Sequence, residues 1–198
     1  MHLKSVCLTA AAVLAFGITA STQAAVVTTF TSAQVPVDIC DTCTVTSTLN
    51  IDSHGRILDI DALLDITHSY DADLVLRLTH GGITVLLADR QGGSGGANYT
   101  GTVFDDQADI GIDAGYAYAP YTGSFRPQQA LAAFIDQDLF GDWTLTVTDS
   151  EAGDAGTINS WGISATTTAA TAVPEPASLA LFGLGLAGLA LPGRRRKA

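Results

Sequence analysis

Through most of the chain, apolar and polar residues alternate one by one. This is the period of a strand with one face buried and one face in water. TVTSTLNI (44–51) and ILDIDALLDITH (57–68) follow it. So do DLVLRLT (73–79) and ITVLLA (83–88), which flank His80-Gly81-Gly82. Two adjacent glycines suit a tight hairpin turn, which needs positive φ at its centre. WTLTVTD (143–149) and TINSWGISA (157–165) flank the acidic stretch Ser150–Gly156, predicted to be the turn of a final hairpin. ALAAFI (130–135) is the one plausible helical turn, and it is short. Many short strands joined by Gly- and Asp-rich turns predict a single all-β sandwich domain. Trp143 and Trp161, in the last two strands, are expected in its core, since large aromatics dominate such cores.

The two ends break this pattern. Residues 1–24 carry Lys4, an apolar run from Val6 to Phe16, and Thr22 and Ala24 as a small-residue cleavage pair. These are the parts of a secretory signal peptide, so the mature chain is expected to begin near Ala25 and to leave the cytoplasm. At the other end, Pro174-Glu175-Pro176 precedes an apolar run from Ala177 to Leu191 and the basic tail Arg194, Arg195, Arg196, Lys197. As a helix, such a run reaches only ~22 Å against a hydrocarbon core of ~30 Å. It makes a poor permanent anchor and suits a transient stop, with the basic tail on the cytoplasmic side.

This end resembles the PEP-CTERM sorting signal of Gram-negative bacteria. The resemblance rests on Val173-Pro174-Glu175-Pro176, the Gly-rich apolar segment and the basic tail. It implies handling by an exosortase at the inner membrane and delivery to the cell surface or extracellular matrix. The expected organisation is a signal peptide (1–24), a short lead-in (25–34), the sandwich (35–166), a linker (167–172) and the sorting signal (173–198), whose short membrane segment is 177–191.

Charge narrows the function of what remains. Between the targeting segments there are four arginines, no lysine, eighteen Asp and Glu151, a net charge of −15. Nucleic acid is excluded as a partner, because phosphate neutralisation needs Lys and Arg. Anionic membrane surfaces are excluded on the same ground. Asp is favoured in turns and is also the usual short carboxylate ligand of calcium. The acidic groups Asp71/Asp73, Asp105/Asp106 and Asp149/Glu151/Asp154 are therefore either solvated turns or Ca²⁺ sites. Asp105 and Asp106 in one loop, with Asp149 and Asp154 around the last turn, are the candidate metal ligands. Cys40 and Cys43, the only cysteines beyond the signal peptide, are expected to form a disulfide in an oxidising compartment.

The body resembles the P domain, also called P/Homo B. The residues that carry the resemblance are Phe104-Asp105-Asp106, Arg126-Pro127, Gly141-Asp142-Trp143 and Asp154-x-Gly156 followed by Trp161. It implies a jelly-roll-like β-sandwich that usually accompanies a subtilisin-like serine protease, as in the proprotein convertases. Catalysis is not expected of the domain itself. Gly92–Gly96 fits G-x-S-x-G around Ser94, but a nucleophile elbow needs a following helix and a later histidine, and all four histidines precede Ser94. A His68, Asp89, Ser94 arrangement is formally possible, but His68 alternates with Ile66 and Tyr70 and is expected in the core. Tyr116, Tyr118 and Tyr121 are expected to pack across one end of the sandwich. The expected role is binding or structural. The partner is an extracellular polysaccharide, Ca²⁺-dependent in one form of the reading, or a separately encoded protease.

Intact-mass analysis of surface material is expected to show a product starting near Ala25 and ending near the Pro-Glu-Pro triplet. Retention of Arg194 to Lys197 in the mature product would show a lasting anchor instead.

Overall fold

The computed structural model describes residues 24–93 and 97–168, and the side chain of Tyr116 is not described. The signal peptide, Ser94, the Pro174-Glu175-Pro176 triplet and the segment 177–191 lie outside the described residues. Ten strands form two facing sheets. They are β1 (Ala25–Thr31), β2 (Val37–Ile39), β3 (Thr44–Ile51), β4 (Ile57–His68), β5 (Leu74–His80), β6 (Ile83–Asp89), β7 (Tyr99–Phe104), β8 (Tyr121–Phe125), β9 (Gly141–Asp149) and β10 (Gly156–Thr168). One sheet runs β1-β10-β4-β7-β8, with β2 also on β10, and the other runs β3-β9-β5-β6. All pairings are antiparallel except β7 with β8. The jelly-roll-like sandwich expected from the sequence is what forms. Short 3-10 turns at Asp71–Asp73, Tyr116–Tyr118 and Leu131–Phe134 interrupt it, and the last falls within ALAAFI.

The core follows from the alternation. On β4, Ile57, Ile60, Ala62, Leu64 and Ile66 point inward and meet Leu76, Leu78, Leu145 and Val147 of the facing sheet. Trp143 and Trp161 are buried, as their place in the pattern requires. Each places its indole N–H on a partner: Trp161 donates to Ser47 Oγ of the opposite sheet at 2.7 Å, and Trp143 to the Leu139 carbonyl at 3.0 Å. His80 closes the end of β5 by stacking on Trp143, with ring centroids 3.9 Å apart. Its two ring nitrogens face the carbonyls of Asp142 and Asp138. The β5–β6 turn uses the glycines expected of it, with φ of +57° at Gly81 and +80° at Gly82.

Two expectations are corrected. Residues 25–31 are not a lead-in: β1 pairs with β10 along its whole length, from Ala25 opposite Thr168 to Thr31 opposite Gly162. β10 also runs two residues into the expected linker, so the sandwich spans Ala25–Thr168. The alternation in β1 is weak because its side chains are mostly exposed at a sheet edge. The second correction concerns Ser150–Gly156, which is no hairpin turn. β9 and β10 belong to different sheets, and this acidic segment carries the chain from one to the other. Strand order along the chain does not reveal a sheet change, because period-two alternation is the same in either sheet. Cys40 and Cys43 are bonded just before β3, with Cα atoms 5.5 Å apart.

Gly162 sits where β1 crosses closest to β10, and a Cβ there would collide with the Phe30 carbonyl oxygen. Gly162→Ala is expected to cost about 1–3 kcal/mol by overpacking. That lowers the melting temperature by roughly 2–4 °C per kcal/mol for a domain of this size. Thermal unfolding of the two proteins checks it, and an unchanged melting point would show that β1 contributes nothing to the sheet.

Candidate functional site

The outer face of the larger sheet is acidic and rich in hydroxyl groups. β4 turns Asp59, Asp61, Leu63 and Asp65 outward, opposite Thr166, Ser164, Gly162 and Ser160 of β10. On the other side Val103 of β7 lies opposite Leu63, and Asp105 follows at the end of that strand. Asp61 is half-buried among these groups. Burial, and then the charges of Asp105, Asp59 and Asp106, push its carboxyl up to about 6. Where glycines replace side chains, at Gly101 and Gly162, the face dips into a groove of about 190 Å³. Leu63 and Val103 supply apolar surface there, and Thr31, Asp65 and Ser160 supply polar groups. Asp65 is held in place by the Asn159 amide, which donates to it at 2.9 Å.

The four candidate calcium ligands do not converge. Asp105 accepts a bond from the Gln107 N–H at 2.6 Å, closing a turn on itself. Asp106 caps the Leu131–Phe134 turn from across the sequence, accepting from the Leu131 N–H at 2.9 Å and the Ala132 N–H at 2.8 Å. Asp154 accepts a bond from the Ser69 hydroxyl. Asp149 is buried, with one oxygen near the Glu151 N–H (3.3 Å) and the other 3.4 Å from His68 Nε2. Among the described residues, no three His, Cys, Asp or Glu side chains are arranged to hold a metal ion. Their spacing in sequence is that of capping and turn-closing residues, a use of Asp that the composition also allows.

His68 is buried at the end of β4, as its alternation implied. Its Nδ1 bonds within the Tyr70 backbone and its Nε2 faces Asp149, not Asp89, which is exposed at the end of β6. Of the tyrosines, Tyr121 packs inside against Tyr99 and Phe125, whereas Tyr118 is largely exposed.

The sequence did not single out the feature that is most unusual in the fold. Asp71 and Asp73, read from the sequence as either a solvated turn or a Ca²⁺ site, are both buried. Neither carboxylate oxygen of Asp71 has a hydrogen-bond partner among the described residues. Burial pushes Asp71 up to about 7, partly held back by His68 and the nearby Asn98 N–H. Burial also raises Asp73, reinforced by the Asp149 charge. A signal was available: the strand pattern of 57–68 and of 73–79 leaves only four residues between them, too few to carry Asp71 clear of the sheets, and puts Asp73 at the start of a strand.

Asp106→Ala removes two acceptors from the first turn of a 3-10 helix whose Leu131 and Phe134 are in the core. The expected cost is about 1–2 kcal/mol. It should be the same in EDTA and in millimolar Ca²⁺ at matched ionic strength, because the bonds are to backbone. Chemical denaturation in the two buffers checks this, and a cost seen only with Ca²⁺ would make Asp106 a metal ligand.

Comparison with known proteins adds the family. Residues 57–165 match the proprotein convertase P-domain, and residues 172–197 match the PEP-CTERM protein-sorting motif. No curated protein sequence matches the chain. Among solved structures, the chain is similar to a serine protease of Aeromonas sobria, seen in complex with its chaperone ORF2 (16% identity, TM-score 0.47) and alone (14%, 0.46). These matches cover 74% and 73% of this chain but only 28% and 27% of the protease, so the chain spans little more than a quarter of that relative. A crystal structure of FlhE is also similar, at 11% identity and TM-score 0.42, covering 72% of this chain and 97% of that one. With its family model matched from the start of β4 to within three residues of the end of β10, the chain belongs to the proprotein convertase P-domain family and carries a PEP-CTERM sorting motif.

Proposed function

We propose that the domain, once exported and sorted by an exosortase, acts as a non-catalytic binding module at the surface or in the extracellular matrix of a Gram-negative bacterium, with neutral polysaccharide as its ligand class. The observation that carries this reading is the joining of an accessory P domain to a sorting motif in one chain. The groove on the outer face supports it. A sugar ring presents C–H faces and hydroxyls together, and Leu63 and Val103 beside Thr31, Asp65 and Ser160 match that mixture. The charge of the domain selects against polyanions, since Asp59, Asp61, Asp65 and Asp105 crowd the same face. Calcium dependence of that binding is part of the same proposal, to be read from the EDTA arm of the test.

A second reading draws on family membership. P domains accompany subtilisin-like proteases, so this one would support a separately encoded protease. Recovery of active protease from co-expression with and without the domain separates the two readings.

The polysaccharide reading is tested by affinity electrophoresis through gels containing a neutral glucan, galactan or mannan, with and without EDTA. The wild-type domain is expected to be retarded by at least one of them. Val103→Arg, which fills the groove from an outward-facing strand position, is expected to abolish retardation while leaving the melting point within a few degrees. Absence of retardation in all three gels would remove neutral polysaccharide as the ligand.

A further inference from the structure

The β4–β5 corner brings together several titratable groups that the proposed binding face does not use. Asp71 is fully buried there, and among the described residues neither of its carboxylate oxygens is hydrogen-bonded. The Asn98 N–H, a backbone donor beside Asp71, gives its bond to the His68 carbonyl at 3.1 Å. Above the corner lies Gly92, with φ of +120°, so close that a Cβ on it would sit 2.7 Å from Asp71 Cβ. No arginine among the described residues pairs with Asp71. Arg90, the cation at this corner, is committed to the Ala72 carbonyl (3.4 Å) and Glu151 (2.6 Å).

The other groups facing the corner are named element by element. β4 contributes His68, whose Nε2 has no hydrogen-bond partner among the described residues and lies 3.4 Å from Asp149 Oδ2 at the end of β9. β7 contributes Tyr99, whose buried hydroxyl has no partner among the described residues, and β8 contributes Tyr121, whose hydroxyl donates to the Ile112 carbonyl at 3.3 Å. Burial raises both phenols, Tyr121 to about 12, and the nearby Asp71 charge adds to the rise. The turn itself contributes Asp73, and the sheet-crossing segment Glu151 and Asp154. Asp71 therefore faces two phenols and one histidine, with further carboxylates behind, in a space closed to water.

An ionised carboxylate in such a place is costly, and the neutral acid is not. We propose that this corner is a proton-operated latch: the Asp71–Asp73 turn is seated beneath Gly92 while Asp71 is neutral, and it is released when Asp71 ionises. Release is local because the corner is joined to the rest by few bonds. Among the described residues, the turn itself is held by Ser150 N–H to the Asp73 carbonyl (2.9 Å), Arg90 N–H to the Leu74 carbonyl (2.9 Å) and the Arg90 side-chain contacts, and its approach from β4 by the Ser69 hydroxyl to Asp154 and Asn98 N–H to the His68 carbonyl (3.1 Å). The direction follows from linkage. A folded carboxyl at about 7 holds its proton more tightly than the unfolded one at about 3.9, so seating is strongest below about 3.9, weakens as pH rises from there to 7, and changes little above 7. Asp61 and Asp73 are also raised and shift global stability in the same sense, so global melting alone does not identify the latch.

The test reads the corner directly on the full sandwich, Ala25–Thr168. Carboxyl ¹³C NMR of the wild type is expected to show Asp71 titrating near neutrality. Protease cleavage within the corner is expected to rise from pH 5, by close to tenfold per pH unit until near pH 7, and to level off between pH 7 and pH 8, once corrected for protease activity on an unfolded control. Asp71→Asn keeps the shape without the charge, and its cleavage is expected to stay low and flat with pH. A wild-type Asp71 carboxyl titrating near 4, or the same pH-dependent cleavage in Asp71→Asn, would overturn the latch. The NMR measurement needs no variant, so it decides the matter even if Asp71→Asn folds poorly.

Discussion

The two sheets of this domain are locked to each other at Trp161. Its ring fills the space between them and its N–H donates across that space to Ser47 Oγ. Ser47 in turn donates to the Gln34 carbonyl at 2.8 Å, tying in the segment that links β1 to β2. A buried indole N–H without an acceptor would cost about as much as a lost hydrogen bond. The register of β3 against β9 is thus coupled to that of β10 against β4. Gly162, next in the chain, has no side chain because β1 must pass there. One tryptophan and its neighbour therefore set where three strands lie.

Much of the fold was legible for a simple reason. β3 and β4 have the bounds that alternation implied, because each has one apolar and one polar face and no other period competes. β5 and β6 follow from Gly81-Gly82. β1 was not legible, since Val26 and Val27 are exposed at an edge where apolar and polar residues face the same solvent. The passage of Ser150–Gly156 between sheets was not legible either, since a turn sequence records the reversal and not the partner.

The site was legible only in part. Composition pointed to carboxylates but could not distinguish three uses. Asp106 caps a turn, Asp61 stands in a crowd of like charges, and Asp71 is sealed in the core. All three look alike in sequence as Asp beside a turn or within a strand. Burial separates them, and burial depends on which strand lies overhead. The outward row on β4, Asp59, Asp61 and Asp65, was available from period two, yet it gains meaning only beside Val103 and the glycines of neighbouring strands.

The pairing of β1 with β10 also governs when the domain can exist. Ala25 lies opposite Thr168, so the first and last residues of the sandwich are neighbours. β10 stands between β1 and β4, and until it arrives the larger sheet is split in two. A chain threaded through a membrane from its N-terminus delivers β10 last, so the sheet cannot close during transit. Once closed, both ends emerge at the same pole, so a domain tethered from either end turns the same opposite pole toward its surroundings.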